Sequence, residues 1–174
     1  MKNIRKVDFM FREISPKEIE GNFISQIADE WALLAAGDKD AYNMMTVSWG
    51  FAGEIWGKDS VAVFVRPQRY TLNFTENSDY FTLSFYGDKK EIHKVCGSMS
   101  GKDVDKTALC GLTPVFSDNS VYFEQARLVL VCKKQYADWF KEENFCDKTA
   151  LINYPNKDYH RFYIGKIEKV LVKS

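Results

Sequence analysis

Two short stretches of the chain combine side chains that suit a phosphorylated, planar ligand. The first stretch contains Thr46, Ser48 and Trp49, and the strand-like run 59–65 separates it from the second, which contains Arg66, Arg69, Tyr70 and Thr71. Hydroxyl groups and guanidinium forks donate hydrogen bonds to phosphate, and an arginine can do so bidentately. An aromatic ring beside them offers a flat surface to a ring system. We therefore predict a site for a phosphorylated, planar cofactor.

A third stretch is crowded with small hydrogen-bond donors and follows a short segment with a helical pattern. It contains Cys96, Gly97, Ser98, Ser100, Gly101, Lys102, Asp103 and Lys106. Successive backbone amides around the two glycines are typical of an anion-binding nest, and serine and lysine side chains add donors. We expect Ser100, Gly101 and Lys106 to contact the phosphate, with Ser98 beside them. The alternative is an ordinary loop followed by a helix that Asp103 caps.

Together these stretches resemble the flavin reductase-like family, the FMN-binding split barrels that include flavoredoxin. The resemblance covers roughly residues 25–172. It rests on Asn43-x-Met45-Thr46-x-Ser48-Trp49, the turn Arg66–Thr71, the loop Ser100-Gly101-x-x-x-Asp105-Lys106 and the late run His160-x-x-Tyr163-Ile164-Gly165-x-Ile167. It implies FMN as the cofactor and NADH or NADPH as the electron donor. It also implies that His160 lies close to the flavin edge, where nicotinamide or another acceptor approaches.

The resemblance implies an oxidoreductase that passes electrons from NAD(P)H through bound flavin to free flavin or another acceptor. Two alternatives stay open. One is a flavoredoxin-like electron-transfer protein that serves a protein partner. The other is a flavin-binding protein similar to pyridoxamine-phosphate oxidase, without reductase turnover, which the Ser100–Lys106 loop disfavours. Split barrels of this family usually pair, so a homodimer with the flavin near the interface is expected.

The fold expectation is mainly β with peripheral short helices, a single antiparallel, Greek-key-type split β-barrel over residues 1–174. The resemblance favours a strand at 31–36. The hydrophobic pattern predicts strands at about 42–50, 60–66, 80–86, 121–133 and 159–173, with a loop containing Gly53 and Gly57 after the first of these and a bulge at Gly165. Helices are predicted from Ser15, at about 68–77, 88–97 and 103–109, and around Tyr136–Phe140.

Composition limits the classes of function. The 24 Lys and Arg residues balance the 24 Asp and Glu residues, so the protein has no net positive charge that would attract nucleic acid. Neither a signal peptide nor an apolar run of about 20 residues is present, so the chain is expected to be cytoplasmic, without a membrane. The four cysteines form no C-x-x-C pair and the two histidines lie far apart, so no metal is expected. The cysteines are expected to be free thiols, mostly buried.

Each candidate residue also has a plain structural interpretation. Thr46 and Ser48 share one predicted strand face, and a position facing solvent explains both hydroxyls; arginines also usually lie in solvent. Ser84 is a further flavin-contact candidate, but a hydrogen bond to its own backbone explains it equally well. His93, on a charged helix, is expected to be solvated. His160 is the candidate catalytic residue, and the alternative is a histidine in a strand whose hydrogen bonds are made within the protein.

Overall fold

The computed structural model describes residues 10–117 and 120–174, which form one antiparallel sheet of eight strands, a separate hairpin and short helices. The strands are β1 Phe11–Ile14, β2 Ala32–Gly37, β3 Tyr42–Val47, β4 Gly50–Ile55, β5 Lys58–Val65, β6 Tyr80–Phe85, β7 Pro114–Ser117, β8 Ser120–Phe123, β9 Leu128–Trp139 and β10 Arg161–Lys173. The α-helices are α1 Phe23–Ser25, α2 Thr71–Asn77, α3 Lys90–Ser98 and α4 Lys106–Leu109, and helical turns of other types span Pro16–Glu18, Gln26–Glu30, Glu142–Asn144 and Lys148–Asn153.

The sheet runs in the order β3-β2-β6-β9-β10-β5-β4, with β1 pairing the far half of β10. Its two end strands, β3 and β4, follow each other in the chain, joined only by Ser48 and Trp49. In the described part of the chain these two strands do not pair with each other. The strongly curved sheet therefore has an open seam where β3 passes into β4. The predicted class, an antiparallel β fold with short peripheral helices, is confirmed.

Hydrophobic residues pack on both faces of the middle strands. On β6, Phe81, Leu83 and Phe85 point into the cluster enclosed by the sheet. The alternate residues Thr82 and Ser84 point outward but are also buried. The hairpin of β7 and β8 covers this outer face, and the Thr82 hydroxyl donates to the Val121 carbonyl at 2.6 Å. Both faces of β6 are buried. Its alternate side chains therefore enter two different hydrophobic cores, and neither set faces solvent.

The predicted bulge at Gly165 is confirmed. The register between β10 and β9 shifts between Ile164 and Gly165. A Cβ atom at Gly165 would lie 2.6 Å from the Phe81 ring, so only glycine lets the bulged strand pass this close to the core.

Two predictions for the second half of the chain are wrong. The single strand at 121–133 is two strands, β8 and β9, because the chain turns between Phe123 and Leu128. The helix around Tyr136–Phe140 does not form, since β9 continues to Trp139 and stays paired with β10. Pairing along β10 overrides the local pattern of aromatic residues. The strand β7 was not predicted.

Three predictions for the first half need correction. The capping box at Ser15 and Glu18 is present, but the helix lasts one turn, and Gly21 interrupts the pattern with φ of +93°. The strand predicted at 42–50 ends at Val47, and β4 follows it. Gly53, expected in a loop, lies within β4. The strand error arises because β4 pairs with β5, and such tertiary pairing decides how a short segment of mixed pattern is used.

No helix in the described ranges has the length and apolar character that crossing a membrane requires. Within the same ranges, no cluster of three or more His, Cys, Asp or Glu side chains is arranged to hold a metal ion.

Candidate functional site

Three cavities lie in a row along the open seam of the sheet, and we call this row the groove. The cationic cavity, about 340 Å³, is bordered by Arg69, Ser98, Ser100 and Lys106, among others. The central cavity, about 210 Å³, contains Thr46, Ser48 and His160 in its wall. The apolar cavity, also about 340 Å³, is bordered by Trp49, Phe51, Phe64 and Phe140. The central cavity shares Arg66 and Arg69 with the first and Trp49 and Phe64 with the last.

Strand pairing explains why residues so distant in sequence meet at the groove. Arg161 at the start of β10 pairs with Val65 at the end of β5. The residues just outside this pair, His160 and Arg66, therefore lie side by side. The end of β3 delivers Thr46 to the same seam, and Ser48 follows in the link to β4. The structure thus brings together most of the residues that the sequence nominated.

Lys106 is a buried cation at the cationic cavity, with 4% of its surface exposed. Its ammonium group donates to the carbonyl oxygens of Met44 at 2.8 Å and Cys96 at 3.2 Å. An ammonium has three N–H groups, so these two bonds leave one donor available. Burial lowers the pKa of Lys106, and the neighbouring Arg69 charge lowers it further.

Arg69 stands beside Lys106 and borders both the cationic and the central cavities. One guanidinium nitrogen donates to the Gly97 carbonyl at 2.5 Å. Within the described residues, neither Arg69 nor Lys106 forms an ion pair with a carboxylate. Two adjacent cations that no carboxylate neutralises favour an anion between them.

The end of α3 and the loop after it contribute Ser98 and Ser100 to the cationic cavity, but both hydroxyls already have partners. Ser98 donates to the Lys94 carbonyl at 2.7 Å, and Ser100 accepts from the Lys102 backbone amide at 3.2 Å. Hydroxyl oxygens accept and donate, so each retains capacity for a further bond. Ser98 and Ser100 therefore border the cavity with hydrogen-bonding capacity to spare.

Gly101 does not border the groove; it lies at a neighbouring cavity. A Cβ atom at this position would lie 2.0 Å from the Asn43 side-chain oxygen. Asn43 in turn donates to the hydroxyl of Thr71 at 2.9 Å. Gly101 is therefore required for packing the loop against Asn43, which ties β3 to α2. The expectation that Gly101 contacts a phosphate finds no support in this placement.

Tyr70 and Thr71 reach the cationic cavity from the start of α2. The Tyr70 ring packs edge-on against Phe74 at 5.3 Å. Thr71 is 1% exposed, and its hydroxyl is held by Asn43. These residues shape the wall of the cavity.

Thr46 is linked to a histidine that the sequence interpretation placed wrongly. Its hydroxyl donates to the His93 carbonyl at 2.9 Å and lies 3.3 Å from the ring nitrogen Nδ1. His93 was expected in solvent, but its ring is buried between Trp31 and Tyr86. Burial, helped by the Lys90 charge, lowers the pKa of His93 to about 4. His93 is thus a neutral support that holds Thr46 at the groove wall.

Arg66 has protein partners, unlike Arg69. Its guanidinium donates to Asp158 at 2.5 Å and to the Asn153 carbonyl at 2.7 Å. It also lies 5.0 Å from the centre of the Tyr154 ring. The hydrogen bond from Arg66 holds the pKa of Asp158 below its usual range. The charge of Arg66 is therefore compensated within the protein.

His160 is buried in the wall of the central cavity, 7% exposed, with its Nδ1 atom 2.7 Å from the Tyr154 hydroxyl. The Trp49 ring lies 5.2 Å away, tilted, and is itself 45% exposed. Burial lowers the pKa of His160 to about 4, and the Arg66 charge contributes in the same direction. The imidazole is consequently neutral at physiological pH.

Ser84 does not reach the groove. It is fully buried on the outer face of β6, between Leu33 of β2 and Val129 of β9. Alternate side chains of β6 point to opposite faces, so Ser84 lies in the core on the outer face of the sheet, away from the seam. The expectation of flavin contact at Ser84 finds no support in this placement.

The aromatic wall residues Phe51, Phe64 and Phe140 were not nominated from the sequence. Neither were Tyr154 and Asp158, which contact His160 and Arg66 behind the wall. Phe64 had a usable signal, because Val63 and Val65 beside it point into the core and an aromatic residue must then face outward. Tyr154 and Asp158 come from the segment after β9, and nothing local links them to Arg66. Their role depends on a contact across about ninety residues of chain.

A larger cavity, about 600 Å³, lies outside the groove and includes Asp38, Asp40 and Asp79 in its wall. A wall with three carboxylates repels phosphate, so volume alone does not identify the site of an anionic cofactor. The cations of the groove make it the better candidate.

Comparison with known proteins gives a family match over most of the chain. A family model described as "Flavin reductase like domain" matches residues 24–174. The comparison with curated proteins found no match.

Several solved structures share the fold. The chain is similar to an FMN-binding domain of a flavin reductases-like enzyme from Shewanella baltica OS155, with 15% identity and TM-score 0.65, covering 93% of this chain and 76% of the other. Flavoredoxin of Desulfovibrio vulgaris (Miyazaki F) is 23% identical, with TM-score 0.64 and coverage of 82% and 68%. A flavin reductase with a split barrel domain from Shewanella frigidimarina NCIMB 400 is 17% identical, with TM-score 0.64 and coverage of 90% and 76%. These likenesses show that the sheet is a split barrel.

Proposed function

Because this chain belongs to the flavin reductase-like family, we propose that it is an oxidoreductase that holds FMN in the groove. Electrons pass from NADH or NADPH through the bound flavin to free flavin or another acceptor. The bound flavin supplies the redox chemistry, and the protein supplies binding, orientation and control of access.

One observation carries the proposal: Arg69 and Lys106 lie side by side at a cavity without a carboxylate partner among the described residues. Lys106 has a free donor, and Arg69 has guanidinium N–H groups beyond the one bonded to Gly97. A phosphate dianion matches these donors in charge and in hydrogen-bonding capacity. Arg69 and Lys106 would therefore hold the FMN phosphate.

The rest of the groove suits the remainder of FMN. The central cavity, with the hydroxyl of Ser48 in its wall, would receive the ribityl chain. The apolar cavity, bordered by Trp49, Phe64 and Phe140, would receive the ring system. Cofactor sites commonly combine such an apolar wall with a few polar groups that fix orientation.

His160 lies at the boundary between polar and aromatic walls. Its low pKa keeps the imidazole neutral, so it can exchange hydrogen bonds without adding a charge to the groove. Tyr154 holds the ring orientation through Nδ1. We propose that His160 orients the nicotinamide or another acceptor at the flavin edge.

Two measurements test this function with the full-length protein. Fluorescence titration should show FMN binding at least tenfold tighter than riboflavin, because one charge-assisted hydrogen bond contributes about 1.5–3 kcal/mol. Steady-state assays with NADH, NADPH and added FMN should show nicotinamide oxidation. Equal affinity for FMN and riboflavin would remove the phosphate role from Arg69 and Lys106. FMN binding without nicotinamide oxidation would instead support the second candidate below.

The second candidate is an electron-transfer flavoprotein that serves a protein partner. Its support is the exposure of Trp49 and Phe51, 45% and 68%, at the mouth of the apolar cavity. Exposed aromatic side chains are typical anchors of protein interfaces. In this case Phe51→Ser would slow electron transfer to a partner while NAD(P)H oxidation stays negligible in both proteins. Equal rates for Phe51→Ser and the unmodified chain would argue against this surface.

A further inference from the structure

Two of the four cysteines meet beside the cationic cavity. The sulfur atoms of Cys96 and Cys110 are 3.8 Å apart. Cys96 is fully buried in α3, whereas Cys110 follows α4 and is partly exposed. Cys132 and Cys146 have no such neighbour among the described cysteines. The proposed flavin chemistry uses none of these thiols, so the pair needs its own explanation.

The pair spans the loop that the proposed phosphate site depends on. Residues 97–109, between the two cysteines, include Ser98, Ser100 and Lys106. The carbonyl of Cys96 accepts a hydrogen bond from Lys106, and the Cys110 amide donates to the Lys106 carbonyl at 3.0 Å. Both cysteines are thus connected to the same buried lysine through backbone groups.

The distance is short enough for a disulfide after a small movement. Disulfide sulfurs are about 2 Å apart, so the two sulfur atoms must approach by about 2 Å. Cys110 follows the four-residue helix α4 and is partly exposed, so we expect most of this movement at Cys110. Cys96 lies within α3 and is held by the core.

We propose that Cys96 and Cys110 form a redox-responsive dithiol that closes to a disulfide by exchange with a small disulfide such as oxidised glutathione. The Cys110 thiolate attacks one glutathione sulfur, forms a mixed disulfide and releases one glutathione. The Cys96 thiolate then attacks the Cys110 sulfur and releases the second glutathione. The two cysteines lose two electrons, the glutathione disulfide gains them, and the two cysteine protons end on the released thiols.

The environments of the two thiols decide the order of the steps. Burial, followed by the adjacent Cys110 sulfur, raises the pKa of Cys96 to about 12. A thiol with so high a pKa is rarely deprotonated at neutral pH, so the accessible Cys110 reacts first. The second step is expected to speed up as the pH rises.

The test begins with thiol counting in the full-length protein. Protein equilibrated in glutathione redox buffers is quenched with acid, alkylated and mapped by mass spectrometry. We expect a cross-linked pair of peptides containing Cys96 and Cys110, reversed by reductant. The matched control Cys146→Ser should retain the cross-link, whereas Cys110→Ser should lose it. A stable glutathione adduct on Cys110 without a cross-link, or protein in which both thiols stay reduced while Cys146 reacts, would overturn the proposal.

A second measurement tests whether formation of the disulfide changes FMN affinity, and this part rests on the proposed function. A disulfide between Cys96 and Cys110 restrains segment 97–109 before FMN binds, so the segment loses less conformational entropy on binding. FMN should therefore bind several-fold more tightly to the disulfide form. Equal affinity in the two forms would refute this coupling. If neither form binds FMN, the proposed function fails, and the cross-link result still decides the dithiol.

Discussion

Arg66 and Arg69 are close in sequence and border the same central cavity, yet their surroundings differ. Arg66 is ion-paired with Asp158 and stacked near Tyr154. Arg69 contacts the Gly97 carbonyl and stands beside the buried cation Lys106. The first charge is therefore compensated by the protein, and the second is available to a ligand. Residue type alone does not identify an anion site; the neighbours of each charge do.

Substitution of Lys106 should have the largest effect on FMN binding. Lys106→Met removes a buried charged donor, and a charge-assisted hydrogen bond contributes about 1.5–3 kcal/mol, so FMN affinity should fall at least tenfold. Fluorescence titration measures this effect.

The matched control for Lys106→Met is Lys102→Met, which changes an exposed lysine of the same loop. Lys102→Met should keep FMN affinity within threefold of the unmodified chain. Because Lys106 also bonds Met44 and Cys96, thermal unfolding of each variant must accompany the titration. A folded Lys106→Met protein with unchanged affinity would contradict the assignment of the cationic cavity.

The two arginines provide the most direct test of the comparison. Arg69→Ala should weaken FMN retention by roughly 1.5–3 kcal/mol while leaving the fold intact. Arg66→Ala should weaken it less, because Arg66 is already paired with Asp158. Flavin content after desalting ranks the two variants. If Arg66→Ala loses as much flavin as Arg69→Ala, the distinction between compensated and available charges fails.

A smaller effect on binding, but a larger one on turnover, is expected at His160. His160→Ala should lower NAD(P)H oxidation at saturating FMN more than it lowers FMN affinity, since the ring offers at most one contact to the flavin. Tyr154→Phe, which removes the hydroxyl beside Nδ1, should reduce the rate in the same direction but less. A full rate in His160→Ala would remove His160 from the proposed chemistry.

The two buried histidines should also make stability depend on pH. The folded chain keeps His93 and His160 neutral down to a pKa of about 4, whereas the unfolded chain protonates them near the ordinary value of 6.5. The unfolded state thus binds more protons in this range, and the free energy of unfolding should fall as the pH drops from about 6.5 to about 4.

Urea denaturation at several pH values measures this dependence. His93→Gln removes one of the two groups and should make the slope between pH 6.5 and 4 shallower. A slope equal to that of the unmodified chain would show that His93 is not a neutral buried group.

Much of the architecture was predictable because local pattern and tertiary pairing agree there. The strict alternation of β6 predicts its two faces, the glycine within the last strand predicts the bulge at Gly165, and the hydrophobic pattern of residues 159–173 predicts the closing strand β10. The missed strand β4 and the false helix near Tyr136 lie where the pattern is mixed. At such places the partner strand decides the conformation.

The sequence by itself determined that the chain carries hydroxyl, guanidinium and lysine donors in the order typical of a flavin-binding split barrel. Only the tertiary structure decided which of these donors are available. It placed Ser84 in a second core, paired Arg66 with Asp158 and left Arg69 beside Lys106 without a described carboxylate. The physical reason is that the availability of a charge depends on burial and on partners distant in sequence, which local spacing does not encode.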